Sequence, residues 1–300
     1  MNNRHPPPQR SDTQWTEDDT DCFRHGLQSL ALELTPEAFE QVIRWARLLK
    51  QWNRTYNLLG NTDSTHLINE HLLDSLAVSP VIARYLDRHS PLVDVGTGAG
   101  FPGVLLAITQ PQRPIFLLEP VGKKVAFLRH SVLTLRLNNA QVLPGKIEIL
   151  RELLDKQVQN TSPRQLHAEF NDSVHSHKYT TPLINPPSDV HDGTLNFICR
   201  AFTSLGRFAA LCEPYMSDDS LLFAMKSLRL TEEQQELPES IHLQTAETIR
   251  TIEPGVHRNL AILARNSTPP SVLATHGGPI FSADSPSQAI PAQSPRWRSQ

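Results

Sequence analysis

The spacing of hydrophobic positions along the chain changes near residue 90. Upstream of that point, apolar residues recur with the period of an α-helix in three stretches. The clearest stretch follows Thr35-Pro36-Glu37, where threonine suits the N-cap and proline suits the first helical position. The same period predicts helices over residues 64–76 and roughly 79–88. Residues 22–90 are therefore predicted to form a helical N-terminal segment.

Downstream of that point, short apolar runs alternate with helical patterns. The predicted strands occupy residues 92–95, 114–118, 141–143, 196–199 and 220–225, followed by a hairpin at 241–252 and 259–264. The predicted helices between them occupy residues 104–109, 123–137 and 204–212. Because strands that alternate with helices are typical of a doubly wound sheet, we predict an α/β fold with seven strands, mostly parallel. This domain is expected to span residues 91–265.

Three segments lack any such pattern. Residues 1–21 contain almost no aliphatic side chain, and residues 266–300 are rich in Pro and Ser. Neither segment can bury enough apolar surface to offset its chain entropy, so both are predicted to be disordered tails. Residues 151–193 are polar after a short charged helix end, and we interpret them as a low-complexity insertion between the third and fourth strands.

Composition narrows the functional classes. The formal net charge of −3 does not by itself indicate a nucleic-acid-binding protein. The three cysteines have no CxxC spacing, and no apolar signal core or membrane-length apolar run is present, so a cytoplasmic protein with reduced thiols is expected. The 13 histidines are scattered without an HExxH motif, and no functional metal site is predicted.

The stretch LVDVGTGAGFPG at residues 92–103 joins the first predicted strand to the following helix. Two ligand classes use a glycine loop at this place. Gly98-x-Gly100-x-x-Gly103 fits the spacing that receives a dinucleotide pyrophosphate. The run from Asp94 to Gly100 also suits the methionine end of S-adenosyl-L-methionine (AdoMet), which needs a closely approaching backbone. Glu119, at the end of the second strand, could accept hydrogen bonds from ribose hydroxyls in either class, so it does not separate them.

Several further motifs, taken together in chain order, resemble the bacterial small-subunit ribosomal RNA guanine-N7 methyltransferases (RsmG, also called GidB). The sequence is similar to that family at WNRTYNL (52–58), HLLDSL (71–76), VDVGTGAGFPG (93–103), LE (118–119), GKKVAFLRH (122–130), LNN (137–139), GKIE (145–148), CRAF (199–202), AMK (224–226) and HRNL (257–260).

The resemblance implies a Rossmann-like class I methyltransferase that uses AdoMet as cofactor and acts on N7 of a guanine in 16S rRNA. Carried over by position, the AdoMet contacts fall on Gly96, Phe101, Ile147, Glu148 and Arg200. Glu119 joins them as the ribose acceptor. Residues expected to contact the phosphates of the substrate RNA are Lys123, Lys124, Arg129, Arg200 and Lys226. The expected partner is small-subunit RNA or an assembling subunit, and a monomer is expected.

Guanine N7 carries a free lone pair, so no general acid or base is assigned. Lys146 stands where the family usually has arginine, and Glu70 stands where a basic residue is common. Two other functions stay open: a nicotinamide-dependent oxidoreductase that uses the glycine loop, and a ribosome-associated binding protein without turnover. Asn185-Pro186-Pro187 is similar to the NPP motif of amine methyltransferases, but it precedes the fourth strand and is not expected to be catalytic.

Overall fold

The computed structural model describes residues 14–60, 63–160, 194–200, 202–226, 230–252 and 258–266. Most of the two predicted tails therefore lies outside the described residues. The same holds for residues 161–193 of the predicted insertion, which include the Asn185-Pro186-Pro187 motif and the clustered histidines. The first ten residues of the predicted insertion belong to a helix, Leu150–Asn160.

The N-terminal segment begins earlier than its hydrophobic pattern indicated. Helix α1, Glu17–Leu30, starts inside the region predicted to be a disordered tail, so the boundary at residue 21 is wrong. Thr16 and Asp19 form a capping box: the Thr16 side chain accepts a hydrogen bond from the Asp19 amide, and the Asp19 carboxylate accepts one from the Thr16 amide. Burial of Phe23 and Leu27 then anchors the helix in the core.

The remaining helices of the segment match the predicted positions. They are α2 (Pro36–Tyr56), α3 (Ser64–His66), α4 (Asp74–Ala77) and α5 (Ser79–Tyr85). The predicted helix over residues 64–76 is not uniform, because Leu67–Leu73 between α3 and α4 is a π-helix. A π-helix widens the turn by one residue and is often found at functional sites. We call Leu67–Leu73 the π segment.

The sheet has seven strands, in the order β3-β2-β1-β4-β5-β7-β6. The strands are β1 (Leu92–Val95), β2 (Ile115–Glu119), β3 (Ala140–Pro144), β4 (Asn196–Arg200), β5 (Leu221–Lys226), β6 (Ile241–Ile249) and β7 (Arg258–Arg265). The first five strands run parallel, whereas β7 is antiparallel to both β5 and β6. The sheet is therefore mixed and mostly parallel, as the predicted closing hairpin requires.

Helices cover both faces of the sheet. The helices after β1 are α6 (Gly103–Thr109), α7 (Gly122–Leu135), α8 (Leu150–Asn160), α9 (Leu205–Cys212) and α10 (Leu230–Glu233), with 3₁₀ turns at Ile147–Ile149, Glu213–Tyr215 and Gln234–Glu236. Side chains alternate along each strand. Ile115 and Leu117 join the core beneath α2, α6 and α7, while Phe116 and Leu118 join the core beneath α8 and α9. The N-terminal helices therefore share one hydrophobic core with a face of the sheet.

Candidate functional site

The glycine loop joins β1 to α6 at the carboxyl end of the parallel strands. Gly96 has a φ of +70°, a left-handed conformation that residues with a side chain rarely adopt. A Cβ on Gly96 would lie 2.6 Å from Cδ2 of Phe202, so the Phe202 ring packs directly on the loop backbone. Gly103 has a packing role, because a Cβ there would lie 2.4 Å from Cδ2 of Leu117 on β2.

Asp94 on β1 anchors the far end of this loop. Its side chain is fully buried, and its Oδ2 accepts a hydrogen bond from the Gly103 amide at 2.7 Å. Burial raises the pKa of Asp94 to about 7, against the opposing effects of Thr97 and the Gly103 amide. Neither Asp94 Oδ1 nor Thr97 Oγ1 forms a hydrogen bond of normal geometry among the described residues, although the Thr97 side chain lies close enough to Asp94 to affect its pKa. The Asp94 carboxyl group, which holds the end of the glycine loop, therefore changes its protonation state near neutral pH.

Glu119 fixes the loop from the end of β2. Its Oε2 accepts a hydrogen bond from the Gly98 amide at 2.9 Å, and its Oε1 accepts one from the Val121 amide at 3.0 Å. The side chain is almost fully buried. Each carboxylate oxygen has a second lone pair, so Glu119 can hold the loop and still accept a hydrogen bond from a ligand.

A cavity of about 330 Å³ opens beside the loop, over the ends of the strands. Three of the predicted cofactor residues border it: Gly96, Ile147 and Glu148. The rest of its wall includes Lys146, Phe202, Thr203 and Arg207. Thr203 and Arg207 were not predicted as site residues. The local signal near them is the N-cap of α9, where the Ser204 side chain accepts a hydrogen bond from the Arg207 amide.

Phe101 and Arg200, the other two cofactor residues implied by the resemblance, lie together but do not border this cavity. The Arg200 guanidinium lies over the Phe101 ring, with Cζ 5.7 Å from the ring centroid. Its Nη1 donates a hydrogen bond to His71 Nδ1 at 3.0 Å, and its Nη2 donates one to the backbone oxygen of Glu70. The His71 ring in turn packs on Phe101, with centroids 4.9 Å apart. The π segment therefore fixes the position of Arg200.

The charge state of His71 suits this contact. Burial, followed by the charges of Arg200 and His66, lowers its pKa to about 3. His71 is therefore neutral at physiological pH, and Nδ1 can accept the hydrogen bond from Arg200 while the proton sits on Nε2. Sequence patterns could not show this pairing, because the two residues are 129 positions apart.

Glu70 also connects the π segment to β7. Arg258 donates hydrogen bonds to the carboxylate of Glu70 and, at 2.9 Å, to Oδ2 of Asp74. Burial raises the pKa of Asp74, and the neighbouring Arg258 opposes that shift. Glu70, the acidic residue noted at this position in the sequence, therefore has a partner on β7.

The four residues predicted only for RNA contact differ in how strongly the protein itself holds them. Lys123 donates hydrogen bonds to the backbone oxygens of Tyr56 and Asn57, at 2.8 and 3.1 Å, at the end of α2. Lys226 forms an ion pair with Glu233 at 2.9 Å and donates a hydrogen bond to the Thr203 backbone oxygen. Arg129 is exposed, and the Lys124 ammonium lies 3.9 Å from the position of a Cβ on Gly98. Lys124 and Arg129 are therefore the freer pair.

Within the described ranges, no group of three or more His, Cys, Asp or Glu side chains is arranged to hold a metal ion. None of the helices that the structure describes is both long and apolar enough to cross a membrane.

Comparison with known proteins extends these observations. Residues 38–166 match the GidB family, described as rRNA small subunit methyltransferase G. The ribosomal RNA small subunit methyltransferase G of Polynucleobacter asymbioticus is 31% identical over 240 residues, which cover 79% of this chain and 92% of that protein. Its namesake from Ectopseudomonas mendocina is 32% identical over 241 residues, which cover 80% and 94%. Among solved structures, TrmN from Thermus thermophilus is 14% identical with a TM-score of 0.41, over 64% of this chain and 49% of its own.

Proposed function

The chain belongs to the GidB family of rRNA small subunit methyltransferases G, and from that premise we propose that it transfers the methyl group of AdoMet to N7 of a guanine in 16S rRNA. The observation that carries the proposal is the extent of the match, which covers 92% of a curated relative at 31% identity. The family model matches residues 38–166, which include most of α2, the π segment, the glycine loop and β3. The parallel strands and their flanking helices support a Rossmann-like class I methyltransferase.

We assign the cofactor to the carboxyl end of the strands. A cavity of about 330 Å³ is consistent with the ~300–1,000 Å³ typical of small-molecule sites. Gly96 and Phe202 both border this cavity, so a bound ligand would contact the loop backbone beside the Phe202 ring. Ile147 and Glu148 also border the cavity. Glu119 does not line it but holds the glycine loop beside it, and would offer its remaining lone pairs to hydroxyl groups. Phe101 and Arg200, held by the π segment, would complete the cofactor site on the other side of the loop.

The proposed chemistry depends on positioning. AdoMet, when bound, supplies a methyl group on a positively charged sulfur. Guanine N7 supplies its own lone pair, so this chain needs no general base. The titratable groups around the loop are already in use: Asp94 holds Gly103, and neutral His71 holds Arg200. Burial raises the pKa of Cys199, which keeps its thiol neutral and unsuited to nucleophilic attack. The residues would act by orienting the two reactants and excluding water.

Substrate RNA is proposed to approach along Lys124 and Arg129, with Lys123 and Lys226 contributing positive potential from their intramolecular positions. We further infer a division into the helical segment 22–90, here extended to begin at Glu17, and the methyltransferase domain 91–265. A monomer in the cytoplasm that acts on small-subunit RNA or an assembling subunit fits this function.

The decisive experiment maps N7-methylguanosine in 16S rRNA from cells with and without the gene. We expect one methylated guanine to disappear on deletion and to reappear when purified protein and AdoMet are added to subunits from the deleted strain. A folded protein that binds AdoMet but methylates neither protein-free RNA nor partly assembled subunits would overturn the proposal in favour of a non-catalytic binding role. Binding of NAD in place of AdoMet would support the oxidoreductase alternative.

A further inference from the structure

An aromatic and basic surface lies where α2 ends and α7 begins. Tyr56 is 46% exposed and packs on Trp52, with ring centroids 5.1 Å apart. The His130 ring packs on the same indole at 5.3 Å and a tilt of 33°. The bonds from Lys123 to the end of α2 hold the two helices together at this point. We call Trp52, Tyr56, Lys123, Lys124, Arg129 and His130 the α2–α7 ledge.

Charge is strongly segregated around this ledge. Residues 41–62 contain Arg44, Arg47, Lys50 and Arg54 and no acidic residue, and residues 120–147 contain Lys123, Lys124, Arg129, Arg136 and Lys146 and no acidic residue. The rest of the chain is therefore strongly acidic, because the whole chain carries a formal net charge of −3. Two packed helices without a carboxylate over these stretches attract a polyanion and disfavour a basic partner.

The ledge faces the same edge of the sheet as the proposed cofactor site. Helix α7 begins three residues after β2 ends, and the Lys124 ammonium lies beside Gly98 of the glycine loop. Exposed aromatic rings beside cationic side chains are the arrangement on which unpaired bases stack while phosphates are neutralised. The ledge favours RNA over an acidic protein because its positive charge is accompanied by exposed ring faces on which unpaired bases can stack.

We infer that the α2–α7 ledge binds an unpaired nucleotide of the substrate RNA: a base stacks on Tyr56, and the adjoining phosphates contact Lys124 and Arg129. The inference rests on the proposed function for the identity of the RNA. It goes beyond that function because it assigns a second contact region, formed by the N-terminal helices, outside the cofactor site. The aromatic group on the ledge discriminates between single-stranded and paired RNA, which charge alone does not do.

The test measures binding and turnover separately. The probes are protein-free 16S rRNA and small subunits from the gene-deleted strain, and the variants are Tyr56→Ala, Tyr56→Phe and Arg129→Ala. Arg250→Ala is the matched control, because Arg250 is exposed just after β6, at the edge of the sheet opposite β3. Thermal melting and the AdoMet dissociation constant establish that each variant is folded.

We expect Tyr56→Ala to weaken RNA binding and raise the KM for subunits about tenfold, in line with the loss of one stacked base. The AdoMet dissociation constant should stay unchanged, and Tyr56→Phe should bind RNA as the wild type does. Arg129→Ala should reduce the slope of log Kd against log salt by about one, whereas Arg250→Ala should not.

Wild-type RNA affinity in a folded Tyr56→Ala variant would overturn the inference. So would a Tyr56 effect confined to assembled subunits and absent from protein-free RNA, since that result indicates a ribosomal protein as the partner. If the wild type binds RNA but transfers no methyl group, the proposed function fails, and the binding measurements still decide the role of the ledge.

Discussion

Replacing Asp94 by asparagine should remove a pH dependence of the unfolding free energy that arises from the buried Asp94 carboxyl group. The buried carboxyl group has a pKa of about 7 in the folded chain, whereas an unfolded aspartate titrates near 3.8. A group whose folded pKa is raised makes its most favourable contribution below the unfolded pKa, and that contribution declines as pH rises through the window between the two values. For Asp94 the window runs from about pH 4 to about pH 7.

The magnitude follows from the width of this window. The difference between a pKa of about 7 in the folded chain and about 3.8 in the unfolded chain corresponds to about 4 kcal/mol in all, lost at about 1.4 kcal/mol per pH unit. Asparagine does not titrate. Its side-chain oxygen can keep the hydrogen bond from the Gly103 amide, and its NH₂ group can donate to Thr97 Oγ1, which is buried without a partner among the described residues. Above pH 7, Asp94→Asn should therefore be the more stable protein.

The assay is urea-induced unfolding of both proteins at half-unit steps from pH 5 to pH 8. Other carboxylates titrate equally in both proteins, so the informative quantity is the difference between the two unfolding free energies. We expect that difference to grow by about 2–3 kcal/mol in favour of Asp94→Asn between pH 5 and pH 7, and to level off above pH 7. A difference that stays flat across the range would refute the raised pKa and the account of the loop support built on it.

Substitutions of His71, Gly103 and Glu119, two of them paired with a control variant, test other parts of the site. His71→Leu removes the acceptor that holds Arg200 and should weaken AdoMet binding about tenfold, measured by calorimetry. His71→Asn keeps an acceptor and should restore most of the affinity. Equal affinities in the wild type and both variants would deny His71 a positioning role. Since the pKa of His71 is about 3, titration of His71 should not alter wild-type AdoMet affinity between pH 5 and pH 8. Gly103→Ala should destabilise the fold by about 1–3 kcal/mol, measured by urea-induced unfolding, because its Cβ would overlap Leu117 on β2. Gly122→Ala is the control and should be neutral or slightly stabilising, because a Cβ there meets nothing within 4 Å. Similar losses for both variants would contradict the packing argument. Glu119→Gln keeps the size of the side chain but replaces one acceptor oxygen by an NH₂ donor, so either the Gly98 or the Val121 amide loses its acceptor. AdoMet affinity should fall about five- to tenfold, and unchanged affinity would remove Glu119 from the cofactor site.

The parts of the fold that the sequence predicted are those with a local cause. The alternation of strands and helices after Leu92 follows from side-chain periods of two and 3.6 residues, and the structure confirms the strands, the closing hairpin and the glycine loop. Helix α1 was missed because its first turn is polar, although the Thr16–Asp19 capping box was visible in the sequence. The π segment was predicted as ordinary helix, because π-helices are rare and the apolar positions Leu67, Ile68 and Leu72 also fit one face of an α-helix.

The parts that could not be predicted depend on contacts between distant positions. Family resemblance put Arg200 at the proposed cofactor site, but only the fold shows that the π segment holds it. Likewise, nothing in the local sequence shows that Lys123 binds the end of α2 or that Lys226 pairs with Glu233. Sequence reasoning treated all four lysine and arginine candidates alike, and the structure separates them by their intramolecular partners.

The dual use of Glu70 has a consequence for experimental design. Its backbone oxygen binds Arg200 at the end of β4, and its carboxylate binds Arg258 on β7, so one residue of the π segment joins the N-terminal helices to two strands of the sheet. Trp45 of α2 also packs edge-on against Phe101, with ring centroids 4.9 Å apart. A truncated protein that begins at Leu92 would contain every strand, yet the proposed cofactor arginine would have lost its hydrogen-bond partners on the π segment. Inhibitor screens and crystallisation trials should therefore retain the N-terminal helices, because these helices hold Arg200 and Phe101 in position.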